Sequence, residues 1–501
     1  MSLTRRQLLA GGATGVGLAV AGSLPTLGEA AAATPSADRR RPTPTPRAGR
    51  PFPPLTDDPD GILALPEGFS YRIVSYSGRT DLDGGLGKTP SNHDGTAVFS
   101  AGRNRLHLIQ NHELGAWGSD FGVPHVPGTV YDAGAEFGGG CTVIETDSDA
   151  RPRGEWVGIS GTVTNCAGGP TPWGTWLTCE ETEVRAGTAW SGRGHSGTYQ
   201  RDHGYVFEVF ADRSHSPLPK PIKAFGRYAH EALAVEPSRR RVYLSEDAST
   251  PNGLFYRWTA PRGVELGPGA ANQLGATDGR LEAMQIRLDD GSVLPDVAYL
   301  TSAQLGRPFK VTWLAVPDRD ATTTSVRKQF AATGEVTRGK KFEGVYSDGR
   351  GVYVVNSYAF GASDLPADAV KHDGMVWYYD YEAQTIKLVT YFPHQASAES
   401  GAAPRYSDLT FDGPDNVTVT PWGSLVLAED GAGASHVLSS TPGGPTYAIA
   451  RNQLNIGTDE APEYSEFTGP TFTEDGRILF VNIQVPGITL AITGPWERYL
   501  A

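Results

Sequence analysis

A six-fold recurrence constrains this chain more than any other feature of its sequence. Six segments share one pattern: a turn with Gly or basic residues, a short apolar run, then Asn, Glu or Asp. They close on Glu113, Glu180, Asp247, Asn356, Asp430 and Asn482. Each follows another apolar strand that begins with polar groups. These are Asn92-His93-Asp94, Asn165-Cys166, His230-Glu231, Phe342-Glu343, Asp415-Asn416 and Glu466-Phe467-Thr468. In an antiparallel hairpin the start of the first strand and the end of the second lie at one edge. The units recur at roughly 50 to 110 residues, a spacing suited to four-stranded blades carrying insertions. Six such hairpins set radially bring six polar pairs to one mouth of a central channel. Val352–Val355 is apolar on both faces, as in a blade sandwiched between neighbours. The expected fold is an all-β, six-bladed β-propeller with loop and short-helix insertions, the helices falling near 268–284 and 361–371.

Composition agrees. The 62 Gly and 37 Pro among 501 residues make nearly one residue in five a turn former, which excludes a helical bundle or coiled coil. The formal charge of −13 excludes attraction of nucleic acid and favours cations.

The N-terminus reads Thr4-Arg5-Arg6-Gln7-Leu8-Leu9, then a weakly apolar run to Leu27, then small residues at Gly28 to Ala33. That order of basic, apolar and small segments is a twin-arginine signal, here assigned to residues 1–33. The run is too rich in glycine, and too soon broken by Pro25, to span a membrane. Residues 34–54 form an extended Pro/Thr/Arg linker, and 55–501 a single catalytic propeller. Export through this route places the protein in the periplasm or outside the cell, with the export machinery as partner and no stable membrane span after cleavage. There, Cys166 and Cys179 form a possible disulfide, with a metal-bound thiolate as the competing reading.

Donors gather at the strand ends: Glu113, Cys179, Glu180, Glu231, Glu246, Asp247, Glu343, Asp415, Glu429, Asp430 and Glu466. Carboxylates suit a hard cation such as calcium, whereas a thiolate calls for a transition metal. Taken singly, each acid reads equally as a solvated turn residue. Like charges at one mouth would repel unless cations neutralise them. His93, His112 and His230 stand beside acids, as metal ligands or as partners of those carboxylates. No serine-nucleophile elbow, P-loop or dinucleotide fingerprint is present.

The run Asn165-Cys166-Ala167-Gly168-Gly169-Pro170-Thr171-Pro172-Trp173-Gly174-Thr175-Trp176-Leu177-Thr178-Cys179-Glu180-Glu181 resembles the core motif of the PhoX family of bacterial alkaline phosphatases. Asn111-His112-Glu113-Leu114, Arg227-Tyr228-Ala229-His230-Glu231, Phe342-Glu343-Gly344 and Asp415–Gly423 carry the likeness further, as do Glu429-Asp430-Gly431 and Glu466–Pro470. The resemblance implies a monomeric secreted phosphatase that hydrolyses small phosphate monoesters at an oxo-bridged cluster of Ca2+ and Fe3+. It implies Cys179 as the iron-binding cysteine, with Glu113, Glu180, Glu231, Glu343, Asp415 and Glu429 as further metal ligands. Cys179, Glu180, Glu231 and Glu343 then serve catalysis. Arg405, shortly before a ligand-bearing strand, is a candidate for bidentate grip on the phosphate. A phosphodiesterase, a calcium-dependent lactonase and a non-catalytic calcium-stabilised binding propeller are the alternatives.

Overall fold

The computed structural model describes residues 50–116, 121–136, 138–192, 194–331, 334–359, 369–395, 408–431 and 433–501. The expected twin-arginine signal, most of the expected linker, most of the helix expected near 361–371 and Arg405 lie outside them. The protein is all-β and propeller-like. Among the described residues its one α-helix is the four-residue Glu497–Leu500. The helix expected near 268–284 is a single 3-10 turn, Ala271–Gln273, followed by the strand Arg280–Arg287. No helix among the described residues is long and apolar enough to cross a membrane.

All six hairpins form. Their inner strands are His93–Ser100, Asn165–Pro170, His230–Val235, Phe342–Ser347, Pro414–Val419 and Phe467–Phe472. Each inner strand packs on the next, and the sixth packs on the first, so the six close a ring. The second strands are Arg105–His112, Thr175–Glu180, Arg241–Glu246, Gly351–Asn356, Leu425–Glu429 and Ile478–Ile483. The last five lie almost wholly in the interior, because sheets cover both of their faces.

The ladders do not divide into six equal four-stranded sheets. Two sheets have four strands, and the others have two, three, six and ten. The ten-stranded sheet arises because Pro308–Ala315, in the insertion after the third hairpin, pairs with Thr385–Pro393 beyond the fourth. The chain start joins the chain end: Ser70–Tyr76 is the outer strand beside Ile488–Thr493, and Leu63–Pro66 pairs with Thr446–Asn452. The last residues of the linker are packed, with the Phe52 ring stacked on Tyr499 at 4.7 Å.

One irregularity recurs in every hairpin. The start of the inner strand pairs with the end of the second strand as expected, through His93 with His112, Asn165 with Glu180, His230 with Glu246, Phe342 with Asn356, and Pro414 with Glu429. In the sixth, Thr468 pairs with Asn482. The register then shifts in all six. The bulged pairs are Asp94-Gly95, Cys166-Ala167, Glu231-Ala232, Glu343-Gly344, Asp415-Asn416 and Gly469-Pro470. A bulge leaves its residues out of the ladder and re-aims a side chain. Its second residue here lines a cavity between the inner strands and is mostly small. At Gly95 an added Cβ would lie 2.7 Å from the Ala167 Cα, and at Gly344 it would lie 2.7 Å from the Asp415 carbonyl oxygen. Glycine there lets neighbouring inner strands approach closely.

Candidate metal centre

The first residue of each of five bulges is a donor: Asp94, Cys166, Glu231, Glu343 and Asp415, all buried. The sixth bulge begins with Gly469, and Glu466, just before its strand, supplies the acid. Three groups of donors result. Cys166, Glu181 and Glu231 offer ligand atoms within 4.8 Å of one another, as do Glu231, Glu343 and Asp415, and then Asp415, Asp430 and Glu466. Glu231 and Asp415 each belong to two groups, so the three form one chain of sites across the mouth.

The electrostatics are those of crowded anions. Burial pushes the Glu231 carboxyl well above the usual range, and Glu343, Asp415, Glu181 and Asp94 push it further. Burial likewise raises Glu343; Lys341 opposes it, while Asp247 and Asp415 add to it. Burial raises the Cys166 thiol, reinforced by Glu231, Glu181, Asp94 and Glu113. Lys341 supplies a positive charge, with its Nζ 2.7 Å from Glu343 and 3.7 Å from Asp430. Its left-handed backbone, φ 57°, turns the chain into the inner strand. Asn92, Thr164 and Gly413 do the same before the first, second and fifth inner strands.

The donor set fits cations. The buried Asp247 Oδ1 has no hydrogen-bond partner, and three acids share the central group. Oxygen-only groups suit calcium, and the group holding the Cys166 sulfur suits a transition metal such as iron.

Successive side chains on a strand point to opposite faces, and this separates the residues expected from the sequence. Glu231, Glu343 and Asp415 face the mouth. Glu113 receives a hydrogen bond from the Gln484 Nε2 at 2.8 Å, and the same amide nitrogen lies 3.1 Å from Asp94. Cys179 does not join the carboxylates. It packs among Leu177, Val206 and Leu244 in an apolar cluster, whereas Cys166 lies in one of the donor groups. No disulfide joins these two, since all three cysteines are free and buried.

Glu180 and Glu429 also turn away from the donor groups. Glu180 accepts hydrogen bonds from Val163 N, Gly204 N and Tyr205 N, and from His203 Nδ1 at 2.6 Å. Glu429 accepts from Asp412 N, from His436 N, and from His436 Nδ1 at 2.8 Å. The residues after them, Glu181 and Asp430, reach the donor groups instead. Glu246 behaves similarly, bound by Tyr256 Oη at 2.6 Å and Arg327 Nη1 at 2.9 Å. Burial opposes charge on His203, but Glu180 and Asp132 outweigh it and raise the imidazole to about 9. Asp408 and Glu429 do the same for His436, also to about 9.

The histidines beside acids bond elsewhere. His93 reaches Thr489 and Pro90 O, His112 reaches Ser91 O and Thr142, and His230 reaches Gly226 O. Glu181 and Lys341 were not singled out as site residues from the sequence, and Cys166 was named only as a strand entry and a possible disulfide partner. Consecutive acids at three strand ends, Glu180-Glu181, Glu246-Asp247 and Glu429-Asp430, were the signal available.

A family profile described as alkaline phosphatase PhoX matches residues 50–154 and 148–487. The chain belongs to the PhoX family. A PhoX-family chain is a metal-dependent alkaline phosphatase, and the acidic mouth is where its fold gathers suitable donors. Among solved structures, the chain is similar to Pseudomonas fluorescens PhoX in complex with vanadate, a transition-state analogue. The identity is 18%, the coverage 92% of this chain and 99% of that one, and the TM-score 0.60, a likeness of fold. It also matches the PQQ domain of a Coprinopsis cinerea pyranose dehydrogenase at 10% identity, over 88% of this chain and 98% of that one, with a TM-score of only 0.30. Comparison with curated protein sequences finds no significant match.

Proposed function

We propose that this PhoX-family protein hydrolyses small phosphate monoesters at a calcium- and iron-containing centre, held by Cys166, Glu181, Glu231, Glu343, Asp415, Asp430 and Glu466. The observation that carries this reading is the chain of three donor groups linked through Glu231 and Asp415. Iron belongs with the Cys166 group and calcium with the all-oxygen groups. Glu113 borders the first group through Gln484. Bound cations would supply the positive charge that draws a phosphate dianion into an acidic mouth and stabilises its leaving oxygen.

The chain's own residues do the rest. Five bulges aim donors from separate strands at one place, so the geometry does not depend on any one loop. The Lys341 ammonium, pinned by Glu343, is a fixed charge beside the groups that hold the metals. It is placed to hold a phosphate oxygen and offset charge building on the leaving group. Arg405 remains a candidate for the same task from sequence position alone.

We further propose six blades, supported by the cyclic packing of the inner strands. Export of the folded monomer by the twin-arginine route to the periplasm or exterior is supported by Arg5-Arg6 and the run behind them. The test is elemental analysis of exported protein, paired with hydrolysis of 4-nitrophenyl phosphate before and after chelation. Calcium and iron should be present, chelation should abolish turnover, and vanadate should inhibit competitively. Full activity in a metal-free preparation overturns the proposal.

A further inference from the structure

Two buried histidines occupy equivalent places in hairpins three positions apart around the ring. His203 stands between Glu180 and Asp132, with Nδ1 2.6 Å from Glu180 and Nε2 3.1 Å from Asp132. His436 stands between Glu429 and Asp408 in the same way, at 2.8 and 3.1 Å. In each case the glutamate ends a second strand, and the next residue is an acid of a donor group: Glu181 in one, Asp430 in the other. Each aspartate is anchored in turn. Asp132 accepts from Gly134 N, Gln200 N and Arg201 N, and Asp408 pairs with Arg451.

The third hairpin repeats the scheme with a different cation. Glu246 is held by Arg327, which also binds Glu183, and Asp247 follows Glu246. Three strand ends therefore share one rule. The penultimate acid is tied to a cation on the loop side, so its neighbour, pointing the opposite way, is turned towards the mouth.

We propose that His203 and His436 are positioning residues for the metal centre: by locking Glu180 and Glu429 to the loop aspartates Asp132 and Asp408, they fix the backbone that presents Glu181 and Asp430 to the cations. This rests on the metal-centre reading above. Direct hydrogen-bond partners of metal ligands are worth about 10- to 100-fold in metal affinity; the histidines act one residue further out, so the loss expected is at the lower end of that range. Both histidines lie outside the donor groups, so the effect passes through the glutamates.

The test uses the full-length protein, stripped by chelator and titrated with calcium by calorimetry, with metal content measured after re-loading. His203→Ala and His436→Ala should each weaken calcium binding about 10-fold. His203→Gln and His436→Gln, which keep a hydrogen-bond donor near the glutamate, should recover part of the loss. They also carry the test if the alanine proteins do not fold. His107→Ala is the control. His107 pairs with Glu145 at 3.0 Å, away from the donor groups, and its loss should leave calcium affinity unchanged. Folded His203 and His436 variants with wild-type calcium affinity and stoichiometry overturn the positioning role alone. A wild-type protein that binds no metal overturns the metal reading, and this inference with it.

Discussion

Lys341 and Glu343 form a buried ion pair, N···O 2.7 Å, inside a mouth otherwise lined by acids. The lysine is held well above its ordinary range: burial works against its charge, but Glu343, Asp247 and Asp430 outweigh that cost. Its ammonium therefore stays charged through the alkaline range. Lys341→Met should lower kcat/KM for a phosphate monoester about 10- to 100-fold, the worth of one charged hydrogen bond. Unchanged kinetics with intact metal content would remove Lys341 from the phosphate site.

The two cysteines of the long motif should separate cleanly. Cys166→Ala removes the one sulfur donor of the three groups and should strip the transition metal together with most of the activity. Cys179→Ala removes a thiol that packs in an apolar cluster outside the donor groups. It should keep its metal complement and cost about 1–2 kcal/mol of stability. Elemental analysis and thermal melts on both proteins check this, and loss of iron from the Cys179 variant would reverse the assignment.

The bulge glycines should be intolerant of a single methyl group. Gly95→Ala and Gly344→Ala each place a Cβ 2.7 Å from the backbone of the neighbouring inner strand. Each should destabilise the fold by about 1–3 kcal/mol, read from denaturant midpoints. Stability equal to the parent would mean the ring is looser than these distances say.

Hairpins, ring and acidic mouth were legible in the sequence because a strand start and a strand end carry their polar residues at the same edge. What was not legible is which of two adjacent residues faces inward. Glu180 and Glu181 differ by one place and point to opposite sides, and the bulge at Cys166-Ala167 resets the alternation that would otherwise decide it. For this reason Cys166, and not Cys179, lies among the donor groups. The joining of the third and fourth sheets was equally hidden, since Pro308–Ala315 and Thr385–Pro393 meet across more than one insertion.

Stability should fall as the solution turns alkaline. His203 and His436 are raised from 6.5 to about 9 in the folded protein. The folded state then binds more protons than the unfolded chain between those values. Their contribution is complete below about pH 6.5, declines as pH rises, and is gone above about pH 9. Denaturant midpoints from pH 6 to 10 should drop more steeply for the parent than for a His203→Gln/His436→Gln protein. Parallel slopes would show that the histidines are not charged.

The outer pairing of Ser70–Tyr76 with Ile488–Thr493 has a consequence for synthesis. Donors are spread from Asp94 to Glu466, and the ring that holds them shuts only when the first described strands meet the last. A nascent chain still on the ribosome has no complete centre to fill. The full centre is therefore expected to fill only once the end strands have paired, and a fragment cut at either end should retain less metal even if most of its hairpins survive.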